Sequence, residues 1–178
     1  MIDCEMSGLR VGVDELLQVS AVILRLDGII YTEERHFDTY LHTKNRPVTD
    51  FDSKYLSDIY HKCNGSPDTP ASVYKAFKEF IGTDTKLVPC GDCVITDLEF
   101  LYNYGILDRN YYEGDTSVEG TLDYEIFDLN ALKCLSRTKK GFKSDKSLVL
   151  DSGIHNALVD CRNQTLELNH YLEVLLRG

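Results

Sequence analysis

The alternation of apolar and polar positions divides the chain into an extended first quarter and a more helical remainder. Residues 1–4 read as the beginning of a strand. Residues 16–26 are rich in Val, Ile and Leu and end at Asp27-Gly28, a strong turn signal, and 29–41 read as the strand that follows. These three segments predict an antiparallel meander. Beyond it the apolar spacing changes to three and four, which predicts helices over 52–63 and 70–81. In the second of these Val73, Phe77 and Phe80 share a face and Gly82 closes the helix. Residues 86–89 are expected to form a short buried strand, 96–104 a helix stopping at Gly105, 124–127 another strand, and 129–136 a helix. The last helix is expected over 156–176, with Ala157, Cys161, Thr165, Leu168, Leu172 and Leu175 on one face.

A meander followed by alternating helices and strands specifies an α/β protein: an antiparallel three-strand meander extended by parallel strands into a mixed sheet, with helices packed on it. The 178 residues contain no internal repeat, low-complexity tract or linker, so a single domain over 1–178 is expected. The hydrophobic share of 43% and charged share of 27% are those of a globular protein. No apolar run approaches the roughly 20 residues that span a bilayer, and Met1-Ile2-Asp3-Cys4-Glu5 lacks the basic and apolar segments of a signal peptide. The expectation is a cytoplasmic protein with no membrane partner.

The cysteines at 4, 63, 90, 93, 134 and 161 are dispersed and are expected to be reduced. Cys90-x-x-Cys93 has no second pair to complete a zinc site and reads as two thiols beside a turn. A net charge of −10 argues against tight binding along a long duplex, since phosphate affinity comes from Lys and Arg. It suits a protein that grips the end of a short or single strand. Basic residues do cluster at Arg137, Lys139, Lys140, Lys143 and Lys146, in a loop that either tracks phosphates or is merely solvated. Tyr102, Tyr104, Tyr111 and Tyr112 have rings suited to base stacking, but core and rim packing accounts for them more simply.

Candidate chemistry begins at Asp3 and Glu5. At i and i+2 on a strand, their side chains project from one face while Cys4 points to the other. Adjacent carboxylates raise each other's pKa unless a cation lies between them, and magnesium prefers such oxygen ligands. Alone, the pair reads equally as two acids on an exposed strand. Asp97 opens a helix after the 86–89 strand, where an acid also serves as a cap or dipole partner. His155 and Asp160 form an H-x-x-x-x-D at the start of the last helix, with Asp160 beside the apolar-face residue Cys161.

Individually weak, these five residues together carry a resemblance. Ile2-Asp3-Cys4-Glu5-Met6-Ser7-Gly8-Leu9 resembles the first motif of the DEDDh (DnaQ-like) 3'→5' exonucleases, Asp97-Leu98-Glu99-Phe100-Leu101 the second, and His155-Asn156-Ala157-Leu158-Val159-Asp160 the third. The stretch Glu5-Met6-Ser7-Gly8-Leu9 and the compact length are most similar to oligoribonuclease. The resemblance implies a ribonuclease H-like fold and an active site of Asp3, Glu5, Asp97, His155 and Asp160. It further implies that Asp3 bridges two Mg²⁺ or Mn²⁺ ions, that Glu5 and Asp160 complete the shell of one, and that Asp97 supports the other. Two such ions serve phosphodiester hydrolysis by activating water and stabilising the departing oxygen. His155 would accept the water's proton, a task for which histidine is the suitable side-chain type at neutral pH. Met6, Ser7, Gly8 and Leu9 would meet the 3'-terminal nucleotide, with Leu9 against the base.

The expected activity is hydrolysis of short or single-stranded nucleic acid from its 3' end to nucleoside 5'-monophosphates, with RNA favoured over DNA. A DNA-directed proofreading or repair exonuclease on the same scaffold is the alternative enzyme. A non-catalytic nucleic-acid-binding domain is the alternative outside enzymes, although all five residues are present. Neither substrate length nor assembly, for which a homodimer is one candidate, is written in the sequence.

Overall fold

Strand β1 (Ile2–Met6) pairs antiparallel with β2 (Leu16–Asp27), which pairs antiparallel with β3 (Ile30–Tyr40) in the order β1-β2-β3. A computed structural model describes residues 1–45, 52–82, 86–108, 125–138 and 155–176. The β2–β3 turn works because Gly28 takes φ of +66°, a region that side chains disfavour. The start of β2 is buried on both sides, whereas its last residues and most of β3 form an exposed ribbon.

The meander leads into a short π-helical turn (Asp52–Leu56) and α1 (Ser57–Gly65), then α2 (Pro70–Ile81). The predicted start of α2 has a clear cause: Thr69 and Ser72 hydrogen-bond each other's backbone N–H, and Pro70 occupies the first turn. Strand β4 (Cys90–Gly91), α3 (Val94–Asn103), β5 (Phe127–Asp128), α4 (Leu129–Arg137) and α5 (Ala157–Leu176) follow. Strands β4 and β5 pair in parallel beside β1. The mixed α/β architecture is the expected ribonuclease H-like one, with the parallel pair as a separate two-stranded sheet.

Two strand positions shift. The strand expected at 86–89 lies at Cys90–Gly91, because Pro89 has no N–H and enters the pairing only through its carbonyl, which accepts from Phe127 N–H at 2.8 Å. The strand expected at 124–127 is found at Phe127–Asp128, set by that same pairing. Asp128 then caps α4, accepting from Asn130 N–H at 2.8 Å.

The meander's two faces differ chemically. Ile2 and Cys4 of β1 join Val19 and Ala21 of β2 in an apolar core with Val73, Phe77, Val94, Leu98 and Leu101. On the opposite face Asp3 and Glu5 lie across from Ser20 and Gln18, and this polar stripe meets α5. Gln18 and Ser20 are fully buried there, both donating to Asp38, while Gln18 also accepts the Ala157 N–H at the start of α5. Lower down, Val22, Leu129, Leu132, Cys161, Leu168 and Tyr171 form the apolar cluster that seats α4 and α5. Tyr104 packs against the first core and accepts the Leu16 N–H, so it is a structural tyrosine. Tyr111, Tyr112, Lys139, Lys140, Lys143 and Lys146 lie outside the described residues. All six cysteines are free, four of them buried. No described helix is long and apolar enough to cross a membrane.

Candidate active site

Period-two alternation places Asp3 and Glu5 side by side on β1, and α5 lays its first turns across them. That brings Asp160 in, so that one carboxylate oxygen from each of Asp3, Glu5 and Asp160 lies within 4.8 Å of the others. Glu5 is buried and the other two are half-buried. The Asp160 carboxylate accepts the Asn156 N–H at 3.3 Å, which holds it over the helix start.

Asp97 approaches from α3 and is buried. Its Oδ1 accepts a hydrogen bond of 3.1 Å from the Cys4 N–H, between the two β1 acids. It therefore stands beside the three-carboxylate group and is tied to the strand that carries it.

Burial pushes the Asp3 carboxyl well above the usual carboxylate range; the charges of Asp97, Asp160 and Glu5 add to this, and a hydrogen bond from Gln164 opposes it. Glu5 is pushed up to about 8, mainly by burial and then by Asp160 and Asp97. Asp97 is pushed up to about 7 by burial, against the pull of the Cys4 N–H. Asp160 is raised by burial too, countered by the Asn156 N–H and by His155. Four acids held against their preferred ionisation need protons or a cation. Their hard oxygen donors, brought together by β1, α3 and α5, suit a divalent metal ion.

His155 stands just before α5, exposed, with Nδ1 4.0 Å from Glu5 Oε2. Its ring meets Tyr55 edge-on at 5.4 Å between centroids. All five residues predicted from sequence thus lie around one end of β1.

The Met6–Leu9 turn is more differentiated. Met6 packs on the core, and a shift in strand register falls between Glu5 and Met6. Ser7 holds the turn, donating its N–H to Glu15 O and accepting the Glu15 N–H on its hydroxyl. A side chain on Gly8 would meet Asp14 Oδ2 at 2.5 Å, in the place where that carboxylate clasps Arg10. Leu9 alone projects, 75% exposed.

Two site neighbours escaped the sequence reading. Tyr55 sits in a segment whose local pattern shows only a helix. Gln164 donates to Asp3 Oδ1 at 2.7 Å. A polar residue four places after Asp160 on the same helix face was the available signal for it.

The sequence model of the RNase T exonuclease family matches residues 1–168, a span that contains every residue of the site. The chain belongs to this exonuclease family. An oligoribonuclease of Streptomyces avermitilis is 30% identical to it over 183 residues, aligning 98% of this chain with 84% of that protein. An oligoribonuclease of Streptomyces coelicolor is 28% identical over 189 residues, with the same coverage of each chain. A probable oligoribonuclease of Schizosaccharomyces pombe is 27% identical over 179 residues, covering 96% of this chain and 65% of that protein. The exonuclease match explains why acids from three separate elements meet at one point. Exonucleases of this kind generally use divalent metals, and clustered carboxylates are the groups that hold them.

Proposed function

We propose that this exonuclease degrades short single-stranded RNA from the 3' end, releasing nucleoside 5'-monophosphates, and that it requires two Mg²⁺ or Mn²⁺ ions. The observation that carries this is the meeting of Asp3, Glu5 and Asp160 within 4.8 Å, with His155 4.0 Å from Glu5. Asp3, Glu5 and Asp160 would hold the metal, and Asp97 would support it from beside β1. When bound, divalent ions supply charge neutralisation at the phosphodiester and activation of water.

His155 accepts the proton of the attacking water. Its exposure allows it to reach a substrate-bound water, and Glu5 lies close enough to stabilise the imidazolium that results. Leu9, exposed beside the acids, would pack on the terminal base, and the turn held by Ser7 would obstruct a continuing strand, which favours an end over an internal site. RNA is favoured because the relatives carry the name oligoribonuclease. The net charge of −10 agrees with a short substrate, for which few phosphate contacts are needed.

Oligomers of RNA and DNA of several lengths, labelled at the 5' end, test this directly. Stepwise shortening of short RNA, dependent on Mg²⁺ or Mn²⁺ and stopped by a chelator, is expected. Immediate release of labelled mononucleotide would reverse the polarity. Faster cleavage of DNA at every length would favour a proofreading or repair exonuclease, and binding without cleavage a non-catalytic domain.

A further inference from the structure

Gln164 lies one turn beyond Asp160 on α5 and is buried. Its carboxamide is engaged at both ends. Nε2 donates to Asp3 Oδ1 at 2.7 Å, and Oε1 accepts the Asp92 N–H at 3.2 Å. Because Asp92 N–H can only donate, the carboxamide has a single orientation that satisfies both neighbours, and that orientation presents N–H to Asp3. The second anchor is itself fixed. Lys133 of α4 bridges the carboxylates of Asp92 and of Glu167, the latter at 2.9 Å, so α4, α5 and the β4–α3 turn are tied together behind Gln164. Gly91 lets β4 lie close against β1 beside this anchor: a Cβ there would stand 2.6 Å from Ile2 O.

We infer that Gln164 is a positioning residue for metal binding, fixing the rotation of the Asp3 carboxylate by spanning from Asp3 to the Asp92 backbone. The inference rests on the metal-dependent reading above. A neutral amide suits the task on electrostatic grounds. A lysine at this place would orient Asp3 equally well, but its positive charge would repel a cation. An aliphatic residue would leave both Asp3 and the Asp92 N–H without these partners. The carboxamide donates to Asp3 while contributing no net charge.

The test is Gln164→Met, which keeps length and shape and removes both hydrogen bonds. Mn²⁺ binding to substrate-free protein is followed by the electron paramagnetic resonance of free Mn²⁺, alongside metal-free melting and RNA hydrolysis. The expected result is a Mn²⁺ dissociation constant about 10–100-fold weaker, the usual scale for removing a partner behind a metal ligand. Raising Mn²⁺ should restore kcat, with KM for RNA unchanged. Equal Mn²⁺ affinity in the two proteins, whether or not the variant melts lower, would overturn the positioning role. Failure of the wild type to bind Mn²⁺ would instead overturn the metal reading itself. Should Gln164→Met not fold, the wild type still decides: its Gln164 carboxamide ¹H–¹⁵N signals must shift on saturation with Mg²⁺, and unmoved signals overturn the inference.

Discussion

The Asp97 carboxylate is hydrogen-bonded to the Cys4 backbone N–H, at 3.1 Å, so α3 is stitched to the strand segment that lies between Asp3 and Glu5. This bond gives Asp97 a structural duty beside its proposed catalytic one. The two separate by substitution. Asp97→Asn keeps the acceptor and loses the charge; Asp97→Ala loses both. In denaturant titrations without metal, Asp97→Ala should be less stable than Asp97→Asn by about 1–3 kcal/mol, the scale for a buried N–H left unpaired. Both should lose activity. Equal stabilities would show that the Cys4 N–H finds another partner.

Asp3→Ala removes the acid at the centre of the cluster. Activity should fall by about 10³-fold or more, since ion-assisted charge stabilisation is worth several kcal/mol. The metal-free protein should melt no lower than wild type, because the fold no longer buries an acid that is held against its ionisation first by burial and then by three neighbouring acids. Full turnover by the purified variant would remove Asp3 from the site.

His155→Asn retains polarity and approximate size but cannot act as a base. At saturating metal, kcat should drop by roughly 10²–10⁴-fold, the range for general acid–base catalysis. Mn²⁺ affinity should change little, since the imidazole is outside the carboxylate group. A variant with near wild-type kcat would leave His155 as a surface histidine packed on Tyr55.

The raised carboxyl groups set a pH dependence whose sign depends on metal. Between its ordinary value of 4.5 and about 8, folded Glu5 holds a proton that the unfolded chain releases. Asp97 does the same from 3.8 to about 7. Folding takes up protons across these windows, so metal-free stability is greatest at their acid end and is lost as pH rises through the folded values. Melting in chelator should therefore move to lower temperature from about pH 5 to about pH 8, and Glu5→Gln should flatten that slope. Mn²⁺ affinity should rise over the same interval, because binding displaces those protons. A Tm that climbs with pH in chelator would contradict the burial of these acids.

The parts of this picture visible in the sequence are those written in local periodicity. Asp3 and Glu5 share a face because strands alternate, and α2 begins at Pro70 because Thr69 and Ser72 announce it. The three acidic motifs lie on elements whose type could be read from neighbouring residues, but it was their resemblance to exonuclease motifs that singled these acids out. What was not legible depended on distant partners. Strand β4 moved past Pro89 because pairing with Phe127 decides where hydrogen bonds can form. Gln164 looks like any polar helix residue until Asp3 is known to lie beneath it. Leu9 could be told from Ser7 and Gly8 only once Glu15 and Asp14 were seen holding the latter two.

Asp3 and Gln164 are 161 positions apart, and that separation gives the chain a temporal property. The β2–β3 hairpin closes through a tight turn between neighbours and can form early. The carboxylate cluster cannot, because Asp160 arrives on α5, after every other described element has been made. A chain made only as far as residue 154 carries Asp3 and Glu5 without His155 or Asp160. On the proposed mechanism, the metal site is therefore completed only when the last described helix is in place.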